Sequence, residues 1–174
     1  MRIRVSLVLL TSALAVGASV LDAVAQANRS ALVCPTFPGT TLRDYSKPCY
    51  RVDGNNVYPT LPGTNVRDFS QPGYRIDDDR IYPTIPGTTL RDYSRPGQKI
   101  EGDSIYPTYP GTNVRDFSKP GYRVDGNVIY PTVPGTNFRD YSQPGLAVSG
   151  DTACPTLPGS SIRDWSKPCV TIPK

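Results

Sequence analysis

A 24-residue unit recurs six times without insertion or deletion, beginning at residues 34, 58, 82, 106, 130 and 154 of the 174-residue chain. A repeat of that length is one supersecondary unit that cannot bury an apolar face alone and must share a core with its neighbours. The sixth unit stops at Lys174, three residues short. Pro, Thr, Pro, Gly, Arg, Asp, Ser and Pro at unit positions 2, 3, 5, 6, 10, 11, 13 and 15 are identical in all six copies, as in Pro59, Thr60, Pro62, Gly63, Arg67, Asp68, Ser70 and Pro72.

The 19 Pro and 15 Gly of the chain exclude a helical domain, because these are the poorest helix formers. Nearly all occupy fixed repeat positions, so they read as turns. Pro-Gly at positions 5 and 6, and again at 15 and 16, fits type II turns with Gly at positive φ. The third turn is Asp-Gly-Asn or a variant, as in Asp125-Gly126-Asn127. Flanked by alternating apolar residues, it predicts a hairpin closed over Gly126-Asn127, with Val124 opposite Ile129 and Arg123 opposite Tyr130.

Substitutions along the chain support that register. A basic residue precedes Tyr in the same way at Arg51/Tyr58, Arg75/Tyr82, Lys99/Tyr106 and Arg123/Tyr130, and where the Tyr becomes Cys154 the basic residue becomes Ala147. A cation over the Tyr ring, worth ~0.5–1 kcal/mol at an exposed site, would couple the two positions.

All four Cys lie in the first and last units, at position 1 (Cys34, Cys154) and position 16 (Cys49, Cys169). Even count and identical spacing predict Cys34–Cys49 and Cys154–Cys169 disulfides, although four Cys allow two other pairings. They would clamp the end units, which have a neighbour on one side only. Inner copies carry Tyr and Gly at these positions, so each Tyr is expected to cover the Gly of its own unit, as Tyr58 on Gly73.

Residues 1–27 read as a secretory signal peptide: Arg2 and Arg4, an uncharged apolar run from Ser6 to Leu21, then Ala-x-Ala sites at Ala23–Ala25 and Ala25–Ala27. Residues 28–33 would form a short arm before the six-repeat domain at 34–174. Export to an oxidising compartment, periplasm or cell surface, suits disulfides, and the mature chain contains no apolar stretch long enough for a transmembrane helix.

A unit of this kind suits two architectures. A β-solenoid would stack six Arg in one ladder and six Asp in another, with like charges repelling, and Pro at position 2 would interrupt each ladder. The preferred reading is all-β: an elongated tandem array of short hairpins, with Arg of one copy meeting Asp of its own or the next.

The chain has no His. Arg-Asp-x-Ser, as in Arg67, Asp68 and Ser70, lacks a base to activate the hydroxyl and occurs six times, which suits side chains bonded to turn backbones. No catalytic residue and no cofactor is assigned. Asp77-Asp78-Asp79 is the one oxygen-rich run that could hold calcium, and a solvated turn accounts for it more simply. Net charge is +4, with Lys and Arg evenly spread, so no nucleic-acid partner is expected.

Position 12 is aromatic in every copy: Tyr45, Phe69, Tyr93, Phe117, Tyr141 and Trp165. With position 9, these residues are expected to form the small core between hairpins. If exposed, they would instead form a row suited to stacking on sugar rings or peptide. The chain is therefore expected to be an exported, non-enzymatic structural or interaction module, with a lectin-like binder of envelope polysaccharide or an envelope protein partner as alternatives, and a hydrolase behind both.

Overall fold

A computed structural model describes residues 31–171; residues 1–27, read above as a signal peptide, and residues 28–30 and 172–174 lie outside the described residues. The described chain is all-β. Its strands are β1 (Ala31–Pro35), β2 (Tyr50–Asp53), β3 (Asn56–Pro59), β4 (Tyr74–Asp77), β5 (Arg80–Pro83), β6 (Gln98–Glu101), β7 (Ser104–Pro107), β8 (Tyr122–Asp125), β9 (Val128–Pro131), β10 (Leu146–Ser149), β11 (Thr152–Pro155) and β12 (Val170–Thr171).

Each strand pairs antiparallel with its chain neighbours, and β12 pairs with β1, so the sheet closes into a barrel. The expected elongated array is therefore corrected to a ring, and antiparallel neighbours exclude the stacked parallel coils of the solenoid alternative. Closure follows from register. Cys34 lies opposite Thr171 and Pro35 opposite Val170, the same pairing that joins Tyr58 to Arg51 and Pro59 to Tyr50 inside a hairpin. Ala31–Val33, expected as part of an arm, open β1, where Leu32 and Val33 pair with Arg51 and Tyr50. They occupy the three unit positions that the sixth copy lacks. A barrel also leaves no strand edge unpaired.

Hairpin turns behave as their residues dictate. Asp53 pairs with Asn56 and Asp125 with Val128, enclosing two-residue loops. Only the first loop residue has positive φ, +55° at Gly54 and +57° at Gly126, as in type II′ turns. The predicted Val124/Ile129 and Arg123/Tyr130 pairs are present. Gly63 of the first Pro-Gly turn is at φ +72°, and Thr64 N–H donates to Leu61 O at 3.1 Å. The second Pro-Gly differs from expectation. Gly73 is not left-handed; it is small because a Cβ there would lie 2.7 Å from Val57 O, with Tyr58 Cβ 3.2 Å away.

Between repeats, a buried Thr at position 3 clasps position 16 of the preceding copy. Gly73 N–H donates to Thr84 Oγ1 at 3.1 Å, and Thr84 N–H donates to Gly73 O at 2.9 Å. The same clasp spans the seam, where Cys169 N–H donates to Thr36 Oγ1 at 3.1 Å. The disulfides are Cys34–Cys49 and Cys154–Cys169, with Cα atoms 4.4 and 4.3 Å apart. They tie β1 to the entry of β2 and β11 to the entry of β12, on either side of the one hairpin that has no covalent turn.

The core consists of the inward positions of the strands, among them Val52, Val57, Ile76, Ile81, Ile105, Ile129 and Val170. Each fully buried aliphatic contributes ~1.5–3 kcal/mol, so with strands this short the Thr clasps and disulfides carry a substantial share of the stability. Following the ladder from Val57 to Tyr74 and on to Pro83 arrives two residues past Ile81, the equivalent of Val57. That slip of two per repeat makes shear equal to strand number, which sets a strand tilt of ~36°. Eight strands at this tilt are filled by their own side chains; a twelve-stranded ring is wider and retains space at its centre.

Candidate functional site

All the tight hairpin turns lie at one end of the barrel and all the long loops, unit positions 3 to 16, at the other. Among the described residues, β1 starts and β12 finishes at the hairpin end.

Each long loop is a second, smaller hairpin. Thr60 bridges to Arg67, Leu61 N–H donates to Val66 O and Asp68 N–H to Pro59 O, both at 2.9 Å. Asp68 then closes a turn of its own, accepting from Ser70 N–H at 2.9 Å and Ser70 Oγ at 2.6 Å. The carboxyls of Asp44, Asp92, Asp116 and Asp164 are held below their ordinary range, chiefly by this serine hydroxyl. The expected Arg–Asp pairing between position 10 and position 11 residues is not made. These Asp groups serve turns, and Arg goes elsewhere.

Arg67 reaches two rings and the next repeat. Its guanidinium carbon lies 4.7 Å from the Tyr58 ring centroid and 5.0 Å from that of Phe69, and Nη2 donates to Thr88 O at 2.7 Å. Arg91, Arg115 and Arg139 repeat the arrangement with ring distances of 4.6–5.0 Å. Arg163 lies 4.0 Å over Trp165 and donates across the seam to Thr40 O at 3.4 Å. The cation on the position 1 Tyr is thus Arg at position 10, not the basic residue expected from the strand register. The cross-strand Arg51/Tyr58 pairing itself is correct. Arg two residues before an aromatic in an extended segment places both on one face, and that was the available signal.

This scaffold leaves the aromatic row exposed, against the expectation that it is core. Position 12, namely Tyr45, Phe69, Tyr93, Phe117, Tyr141 and Trp165, is 58–67% exposed. Positions 4 and 9 join it, from Phe37 and Leu42 in the first copy to Leu157 and Ile162 in the last. The loop end therefore carries a crown of apolar side chains, three per repeat. Sites recur every two strands, about 10 Å apart at the barrel wall. One face of each position 12 ring is backed by a guanidinium over its centroid, which holds the ring in place while most of the side chain stays exposed.

At the hairpin end, Asp77 accepts from the Tyr82 hydroxyl and pairs with Arg75, while Asp79 pairs with Arg80 at 3.3 Å. Within the candidate calcium run, the carboxylates of Asp77 and Asp79 are thus directed to different partners. Burial, then a hydrogen bond to Glu101, pushes the Tyr106 hydroxyl up to about 12. No protein-family model and no curated protein matches the chain.

Proposed function

We propose that this protein is an exported, non-enzymatic ring that presents six copies of one aromatic platform to an extended, repetitive ligand, with a polysaccharide of the cell envelope as the favoured class. The carrying observation is the exposure of position 12 in all six copies, each ring backed by an arginine. Aromatic faces stack on sugar rings, and six weak sites on one rim gain by effective concentration. Exposed apolar side chains gathered at one end are a common feature of interaction surfaces, and those at positions 4, 9 and 12 support this reading. The two disulfides are compatible with an oxidising compartment, in keeping with the leader reading of residues 1–27. A second reading, docking on an envelope protein, is favoured by the aliphatic side chains interleaved with the rings, such as Leu42, Val66, Leu90 and Ile162.

Retention of the mature protein on insoluble peptidoglycan and polysaccharides, with Trp165 emission as reporter, tests this. Ser substitutions at Phe69, Tyr93 and Phe117 should weaken retention far more than threefold, because loss of valency compounds. Absence of retention on every polysaccharide would sink the carbohydrate reading; capture of an envelope protein, lost in the same variant, would support the second.

A further inference from the structure

One inward position of the barrel carries an aromatic or aliphatic side chain in every copy but one. Inward position 17 is Tyr50, Tyr74, Tyr122, Leu146 or Val170 in five copies but Gln98 in the third. The Gln98 Oε1 is buried and accepts no hydrogen bond. An unmet acceptor where five equivalent positions are apolar or aromatic costs stability and calls for a reason.

Gln98 lines a cavity of about 460 Å³ together with Ile81, Ile105, Tyr74 and Tyr122. That volume lies within the range of small-molecule sites. Arg95 and Lys119, the position 14 residues of adjacent copies, line its rim at the exposed loop end, whereas the flanking copies have Gln71 and Gln143 there. The other adjacent cations at position 14, Lys167 and Lys47, belong to copies with Val170 and Tyr50 at position 17. Only between Arg95 and Lys119 do paired cations coincide with a polar inward side chain. Lys119 also has an ion pair to Asp116 at 3.5 Å, and no ion pair is formed by Arg95 among the described residues.

We propose that this sector is a single ligand site for an amphiphilic carboxylate, its apolar body between Tyr74, Tyr122 and the two Ile side chains, its carboxylate at the Arg95 and Lys119 rim, and Gln98 turning its amide to the ligand. It is separate from the outer crown and does not depend on what the crown binds. A guanidinium and an ammonium at a cavity mouth select an anion, and the apolar side chains lining the cavity select against a small, fully hydrated one.

The test is calorimetric titration of the mature protein with decanoate, with decanol as the uncharged control. The expected result is saturable binding of one decanoate per chain, at least ~10-fold tighter than decanol. The double variant Arg95→Gln/Lys119→Gln installs the residues of the neighbouring copies, which this fold already accommodates, and should weaken decanoate ~10-fold or more while leaving decanol unchanged. Gln98→Tyr, likewise borrowed from a neighbour, should fill the cavity and abolish both. A stoichiometry near six, equal affinity for decanoate and decanol, absence of saturable heat, or wild-type binding by either variant with native circular dichroism would overturn the proposal. Phe69→Ser/Phe117→Ser, which alters the crown alone, should bind decanoate normally; loss of binding there would assign the site to the crown and overturn it as well.

Discussion

Ring closure makes a demand that an open array could not meet. Residues 31–174 number six times 24, so a peptide bond from Lys174 to Ala31 gives an unbroken circle of repeats. In the barrel the strands nearest those ends, β1 and β12, are neighbours, since Thr171 lies opposite Cys34. Making that bond without opening another removes loop-closure entropy from the unfolded chain, up to about 5 kcal/mol for a loop of this length in the chain-entropy model. Making it and opening the chain between Gly126 and Asn127 gives a permutant in which the two terms offset. Its new seam has four residue pairs, Tyr122/Pro131 to Asp125/Val128, compared with the two of the native seam, and both disulfide loops are unchanged. The permutant should therefore lie within about 1 kcal/mol of the parent, a Tm difference of at most ~5 °C. Thermal unfolding followed by far-ultraviolet circular dichroism, alongside calorimetric enthalpy, reads both forms. A permutant that is unfolded, or a cyclic chain less stable than the linear one, would refute closure.

Three further outcomes are expected. Thr84→Val keeps the volume but leaves the Gly73 N–H without its side-chain acceptor, and should cost ~1–3 kcal/mol in denaturant titration. Asp78 is the one non-Gly described residue at positive φ, +48°, so Asp78→Gly should stabilise by about 1 kcal/mol, visible as a raised urea midpoint. Stability should fall at both pH extremes. The lowered carboxyls of Asp44, Asp92, Asp116 and Asp164 contribute fully above the unfolded value, near ~3.9, and lose that contribution as pH drops through their lower folded values. Tyr106, raised to about 12, contributes fully below ~10 and loses it as pH climbs from there towards 12; Tm against pH, with tyrosinate absorbance, checks both limbs.

The parts legible in the sequence are those governed by short range. Arg51 opposite Tyr58, the Gly54-Asn55 loop and both disulfide pairings follow from turn chemistry and spacing within one unit. What was missed depends on where units go relative to one another. Ala31–Val33 look like an arm until β12 is known to lie beside them, although a last copy short by three residues and three strand-forming residues before the first were in plain view. Gly73 resembles Gly63 by its Pro-Gly context, yet one is set by a neighbouring carbonyl and the other by φ. Position 12 looked like core because six aromatics in register usually are; in a closed ring the inward faces of the strands already supply the core, and the loops face water.

The two-residue slip per repeat has a consequence for how such a chain can change. Most tandem-repeat proteins lengthen or shorten by whole units, since each added unit leaves the rest in place. Here a lost copy removes two strands and two residues of shear together, so the tilt persists while the circumference contracts and the central space between Ile81, Ile105 and their counterparts shrinks. A gained copy widens the bore beyond what those side chains can line. Copy number thus acts as a gauge of internal diameter, and a duplication in this gene would be felt first at the centre of the ring.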